Sequence, residues 1–282
     1  MLHVRAPSTH AEITALDEKL AGADTATLAP FLHERRQTTE TLPYWLVNLP
    51  RSQWPVDCPS FLRDQPPKNI RCLSTPDHLY TRQDWEQVKE IISEWQLLSR
   101  MQLFTPLTGI VSMAETNRID RFQRVPSELR KYLEYMAHIK AEYGGVMRFI
   151  VKERLGWGDG DGQDVKPRGQ PFEYDDDLRI IYNDWPYGVD KDIIHLVVWT
   201  KFELKDDPAT GYLTASAQAA IESYVQVTFC SRVPPEQVVW FKNWKSLKSV
   251  PGLEHFHVML HRPDMEFVRE ITRGDVPLIN RV

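Results

Sequence analysis

Apolar residues recur every three or four positions from Thr81 to Met101, at Trp85, Val88, Ile91, Ile92, Trp95 and Leu98, which predicts a helix. Thr81 with Asp84 offers its N-terminal cap. The same period returns from Pro126 to Tyr143, with Leu129, Leu133, Met136 and Ile139 inward, Ser127 near the start and Gly144-Gly145 as the stop. Val146 to Val151 then reads as a strand. Arg179 to Tyr182 and Ile193 to Trp199 are apolar runs fit for buried strands, separated by the turn NDWPYGVDKD. Thr214 to Thr228 predicts a helix capped by Thr214, with Ala217, Ala220, Ile221, Tyr224 and Val225 on one face. Val238 to Phe241 and His255 to Leu260 add two short strands, and Pro263 to Thr272 a last helix before Gly274. The order strand, helix, strand, strand implies an α+β fold, a sheet with packed helices.

The N-terminal part lacks such regularity. Leu16, Leu20 and Leu28 give a weak amphipathic signal, so residues 1–40 read as a mobile arm and residues 41–282 as a single α+β domain. Prolines stud Leu42 to Pro76, which predicts an irregular, extended strap around the core. GWGDGDGQDVKPRG, Gly156 to Gly169, reads as a surface loop, because the oxygen-ligand spacing of a calcium loop is missing.

Composition narrows the class. With 42% hydrophobic and 26% charged residues among 282, the chain can build a core, and it has no long uncharged apolar run to span a membrane. Met1 to Pro30 has no secretory pattern, and three cysteines without metal-type spacing point to the cytoplasm and reduced thiols. Cys230 reads as a buried, inert thiol, although Arg232 is close. The net charge of -5 conceals a basic stretch from Arg118 to Arg154, with nine Lys or Arg against five Asp or Glu, so an RNA partner stays open.

Candidate chemistry concentrates between Ile181 and His261. In Leu253 to Leu260, strand alternation puts His255 and His257 on one face, where two imidazoles can address one ligand as nucleophile, acid or base. A metal on that pair would need a third ligand from His195, Asp184 or His261, and no local motif nominates one. Lys242, Lys245 and Lys248, with Asn243, Trp244 and Ser249 among them, form a basic row with an aromatic, suited to phosphates and a stacked base. A solvated lysine face explains it equally. Asp184, in a turn after a buried strand, can accept a guanidinium or pair with His195, and Trp185 and Lys201 complete the candidate binding set. Asp175, Asp176 and Asp177 can meet an arginine moiety or form a solvated loop, and Glu254 points away from His255.

The segments NDWPYG, HLVVWTKF, WFKNWKSLKSV and EHFHVML, with RVPSELRKYLEY before and ITRGDVPL after, resemble a fungal family known as N-acetylglucosamine-induced proteins, which share a domain of unknown function. The resemblance runs from about Tyr44 to Leu278. That family is similar to fungal arginine-containing cyclodipeptide synthases, which join arginine and a second amino acid taken from aminoacyl-tRNAs. It implies arginyl-tRNA and a second aminoacyl-tRNA as partners, and no cofactor, since the ester is already activated. A more distant resemblance of the C-terminal half is to the histidine-triad fold, with Leu253 in place of its first histidine. The leading expectation is therefore an aminoacyl transferase in which His255 or His257 deprotonates an amine or carries the acyl group, the lysine row meets the tRNA and Asp184 holds the guanidinium. The alternatives are a histidine-triad-like nucleotide hydrolase or transferase using Lys242, Asn243 and Ser249 on phosphate oxygens, and a non-catalytic cytosolic regulatory protein.

Overall fold

The computed structural model describes residues 52, 60–63, 77–101, 121–159, 165–208, 211–243, 250 and 252–281. The arm expected at 1–40 and most of the strap expected at 42–76 lie outside the described residues. In chain order the helices are α1 (Ser60–Arg63), α2 (Trp85–Met101), α3 (Pro126–Tyr143) and α4 (Val146–Phe149). Strands β1 (Leu178–Tyr182) and β2 (Ile193–Thr200) follow, then helix α5 (Ala215–Thr228), strands β3 (Val238–Phe241) and β4 (Glu254–His261), and helix α6 (Met265–Ile271). The fold is α+β, as the strand and helix order predicts. No described helix is long and apolar enough to cross a membrane.

Two compact units divide the chain: Met1–Tyr80 with Val125–Tyr135, and Thr81–Arg124 with Met136–Val282. In the first, α1 is one turn that buries Leu62, and Val125, just before α3, is buried with Leu129 and Leu133 of that helix. A carboxylate oxygen of Asp77 accepts the backbone N–H of Ser127 at 3.0 Å, taking up one of the donors that a helix start leaves unpaired.

The second unit is built on a four-stranded antiparallel sheet in the order β1-β2-β4-β3. Its two faces follow from the register. Leu196 opposite Val258, Val198 opposite Phe256, and Trp240 opposite Val258 define an apolar face. Helix α5 covers it with Ile221 and Val225, and Phe229, just past its end, joins the same buried cluster together with Phe267 and Val268 of α6. The Tyr224 ring meets Phe256 edge-on at 6.2 Å, and the indole N–H of Trp240 donates to the Glu222 carboxylate at 2.8 Å. Thr214 caps α5, its hydroxyl accepting from the Ala217 N–H at 3.3 Å. The opposite face carries His195, Val197 and Trp199 of β2, with Met259, His257 and His255 directly across on β4. Phe241 of β3 joins that face, and Phe122 stacks on it at 5.6 Å.

Two local expectations change. Asp84, rather than Thr81, caps α2: its carboxylate accepts the Gln87 N–H at 2.9 Å while the Gln87 side chain accepts the Asp84 N–H at 3.0 Å. Val146 to Val151 is not a strand. It is α4, continuing as a wider π-type turn over Ile150–Leu155 that stops at Gly156 with φ 65°. The run VMRFIV lacks alternation, and Phe149, Ile150, Val151 and Leu155 are buried while Lys152 and Glu153 are exposed, a helical spacing that extends past the apolar run. The wide turn brings Arg154 to the buried side.

The packing of α5 on the sheet predicts a contrast. Phe256→Ala empties a fully buried ring position and should cost about 3–5 kcal/mol in urea unfolding. Val227→Ala, at a position 71% exposed on α5, should stay within about 0.5 kcal/mol. Similar losses for both would contradict the assigned faces.

Candidate functional site

The register that faces β2 to β4 brings three imidazoles onto one side of the sheet. His255 and His257 share a face as expected, and His195 lies diagonally across from His257. Nε2 of His195 and Nδ1 of His257 are 3.0 Å apart, and Nε2 of His257 is 3.0 Å from the Asn243 amide nitrogen. The Asn183 amide nitrogen lies 3.2 Å from Nε2 and 3.4 Å from Nδ1 of His195. His255 is engaged differently: its Nδ1 donates to the Leu253 carbonyl at 3.1 Å and its ring lies tilted against Trp199 at 4.3 Å. The hydrogen-bonded pairing is thus His195 with His257, rather than His255 with His257.

All three histidines are buried, and aromatic rings pack around the pair. Phe241 lies parallel to His257 at 4.8 Å, and Tyr187 lies 5.2 Å from His195. Burial, reinforced by the Arg124 guanidinium, pushes the His195 pKa down to about 3. His257 is also pushed well below its ordinary value, first by burial, then by His195, His255 and Arg124. Both rings are neutral at pH 7. Neutral imidazoles each carry one N–H and one lone pair, so the row has a direction. With the Asn243 nitrogen donating to His257, the protons point toward His195, and the Asn243 oxygen stays buried without a hydrogen-bond partner. Turning that amide over and switching the tautomer of both rings gives the opposite direction, with the oxygen accepting from Nε2 of His257 and Nε2 of His195 donating to Nδ1 of His257. A row with two such directions can take up a proton at one end and release one at the other.

Asp184 does not pair with His195. Its carboxylate accepts the guanidinium that the turn sequence anticipates, but from Arg154 of the same chain, Nε at 2.9 Å and the second contact at 2.8 Å. Arg154 also makes a two-pronged contact with Asp275, at 2.8 and 2.9 Å. Asp184 further accepts the Leu278 N–H at 3.0 Å, and Asp275 the Tyr182 N–H at 3.0 Å. This cluster ties β1, the turn after it and the C-terminal segment together. Burial lowers the pKa of Arg154, but the hydrogen bonds and charges of Asp275 and Asp184 more than offset it, and the pKa is raised. Burial pushes the Asp184 carboxyl up, and the Arg154 guanidinium and the Leu278 N–H offset that shift only in part. Trp185 is buried beside it: its backbone N–H donates to the Asn183 side-chain oxygen at 3.0 Å and its carbonyl accepts from Arg124 at 2.9 Å.

The lysine row also changes. Lys242 is buried, its ammonium 2.6 Å from Asp206, 3.1 Å from the Leu204 carbonyl and 3.4 Å from Glu254, so its charge is met within the chain. A strand residue one past Phe241 turns to the face opposite His257, where those acids lie. Trp244, Lys245, Lys248 and Ser249 lie outside the described residues. Lys201 sits 5.3 Å above the Trp157 ring. Asp176 pairs with Arg168, and Asp177 accepts the backbone N–H groups of Arg168 and Gly169. His261 stacks on Trp85 and lies 3.4 Å from Asp192, away from the pair. Among the described residues no three His, Cys, Asp or Glu side chains stand together as a metal site. Cys230 is half-buried, and burial followed by Glu222 pushes its thiol up.

Sequence reasoning passed over Arg154, Asp275, Tyr187 and Arg124. Arg154 follows Lys152 and Glu153 in FIVKERLG, so nothing in its neighbourhood sets it apart from a solvated charge. The others are joined by packing between distant segments, with no local pattern.

The neutral pair predicts acid sensitivity with a definite sign. In the unfolded chain an imidazole takes up a proton near pH 6.5, whereas folded His195 does so only near pH 3. Below about pH 6.5 the unfolded state therefore binds more protons, and stability falls with pH until the folded rings titrate. Each histidine contributes about a tenfold loss in the folding equilibrium per pH unit in that window. Denaturant unfolding between pH 7 and 4.5 should show a shallower pH dependence for His257→Gln than for the parent. Equal slopes would contradict a neutral His257.

Residues 107–261, more than half the chain, match the family model described as Protein of unknown function (DUF3605). N-acetylglucosamine-induced protein 1 of Candida albicans is 26% identical over 183 residues, covering 59% of this chain and 72% of that protein. The Saccharomyces cerevisiae protein called Uncharacterized protein YPL067C is 27% identical over 194 residues, 68% of this chain and 85% of its own. The crystal structure of HTC1 aligns with a TM-score of 0.46 at 23% identity, over 68% of this chain and 91% of that one. The matched region spans His195, Asn243 and His257, and the chain belongs to the DUF3605 family.

Proposed function

We propose that this chain is an aminoacyl transferase of the cyclodipeptide synthase kind, joining arginine from arginyl-tRNA to a second amino acid from another charged tRNA. The observation that carries the reading is the buried, neutral row His195–His257–Asn243. The arginine donor rests on the resemblance of the NDWPYG, HLVVWTKF and EHFHVML segments.

The chemistry asks for a proton relay and little else. When one α-amine attacks the other aminoacyl ester, a C–N bond forms and the bond to the ribose oxygen breaks. The amine loses a proton and the leaving oxygen gains one, so the step needs no net proton. Attack of the remaining amine on the second ester closes the ring and releases the second tRNA in the same way. An imidazole with a depressed pKa suits the second half of each step, because once protonated it is a strong acid toward the leaving oxygen. The reversible direction of the row lets the acceptor and the donor of the proton be different atoms. Aromatic walls at Phe241 and Tyr187 keep water from the pair, which limits hydrolysis of the ester. In this scheme Asp184 is a structural partner of Arg154, and the tRNA contact falls to groups other than Lys242.

The test is mass spectrometry of the purified chain incubated with arginyl-tRNA and a mixture of charged tRNAs. The expected product is an arginine-containing diketopiperazine, reduced about a hundredfold or more in His257→Gln when that variant melts like the parent. No diketopiperazine from the parent, or full activity in a folded His257→Gln, would overturn the proposal.

A further inference from the structure

On the histidine face, one step along the sheet from His257, Arg179 of β1, Trp199 of β2 and His255 of β4 stand in a row, each directly opposite the next. Side chains so paired lie about 5 Å apart at Cβ, which makes them one surface. Two of the three carry donors with nothing to donate to. The Nε of Arg179 and the indole nitrogen of Trp199 are buried and have no hydrogen-bond partner among the described residues. Trp199 is 6% exposed, and its ring lies against His255 at 4.3 Å with a tilt of 35°, so burial and this contact restrict the direction of the N–H. Arg179 is half-buried and no carboxylate among the described residues pairs with it. Asp177, two residues earlier, directs one oxygen to the N–H groups of Arg168 and Gly169. Asp184 and Asp275 are taken by Arg154.

A buried guanidinium Nε and a buried indole N–H, both without an acceptor, are costly unless an acceptor is supplied from outside. A guanidinium and an indole N–H together match an oxyanion with several acceptor oxygens. We propose that Arg179 and Trp199, with His255 backing the indole, form a subsite for a phosphate group, the one borne by the nucleotide end of the acyl donor. This identification of the donor rests on the aminoacyl-transfer reading; the oxyanion chemistry of the subsite does not. A phosphate is favoured over a carboxylate because the row adjoins the relay that would act at a ribose ester, so a nucleotide bound there would bring its own phosphate within reach.

Calorimetric titration of the full chain with adenosine 5′-monophosphate, adenosine and succinate tests it, with no turnover required. The monophosphate should bind, adenosine and succinate at least about tenfold more weakly, and Arg179→Met and Trp199→Phe should each weaken the monophosphate about tenfold or more. Circular dichroism melting checks folding; if Trp199→Phe is unfolded, Arg179→Met, at a half-exposed position, decides alone. No binding of the monophosphate, unchanged binding in a folded Arg179→Met, or succinate binding as tightly would overturn the subsite. Arg179-dependent binding in a chain that makes no diketopiperazine would leave the subsite standing and remove the transferase reading. Diketopiperazine formation without such binding would do the reverse.

Discussion

The antiparallel pairing of β2 with β4 is the interaction on which the other features depend, because strand side chains alternate and one register decides every facing. It is held on one side by Leu196, Val198, Phe256, Val258 and Leu260, all at or near complete burial against α5 and α6. That apolar side fixes the polar one. A slip of β4 by one residue would turn His255 and His257 toward Ile221 and Phe229 and put Val258 on the side of His195. The same register places Arg179, Trp199 and His255 in a row beside the pair.

The second unit buries polar groups in two ways. Charged groups are paired: Arg154 with Asp184 and Asp275, and Lys242 with Asp206. Such pairs contribute little net stability, since desolvation offsets attraction, yet removing one partner leaves an isolated buried charge. Their use here is positional, tying the C-terminal segment to the turn after β1 and the end of β3 to the segment before α5. The histidines follow the other course and give up their charge, which burial makes the cheaper state. A charged ring there would also face the Arg124 guanidinium. Neutrality leaves the pair with mobile protons and no fixed charge.

Much of this was legible in the sequence. The alternation of EHFHVML placed His255 and His257 on one face, and the apolar periods located α3, α5 and all four strands to within a residue or two. Single-segment patterns could not tell which histidine partners which, because His195 and His257 are brought together by pairing 62 residues apart. Lys242 looked like part of a solvated or phosphate-binding row until the strand's alternation turned it to Asp206. Asp184 was read as holding a substrate guanidinium or pairing with His195, whereas the guanidinium it meets belongs to Arg154, brought inward by a π-type turn that an apolar run disguised as a strand. Arg179 was hidden inside a strand, where its lack of a partner shows only once the neighbouring strands are in register.

The central claim is that His195 and His257 form a hydrogen-bonded, uncharged pair. Nitrogen-15 NMR of the imidazole rings across pH 7.5 to 4.5 tests it most directly, since ring nitrogens report both tautomer and charge. The account predicts that both rings stay neutral down to pH 5, each showing one protonated and one bare nitrogen. Ordinary titration of either ring near pH 6.5 in the folded protein would contradict it.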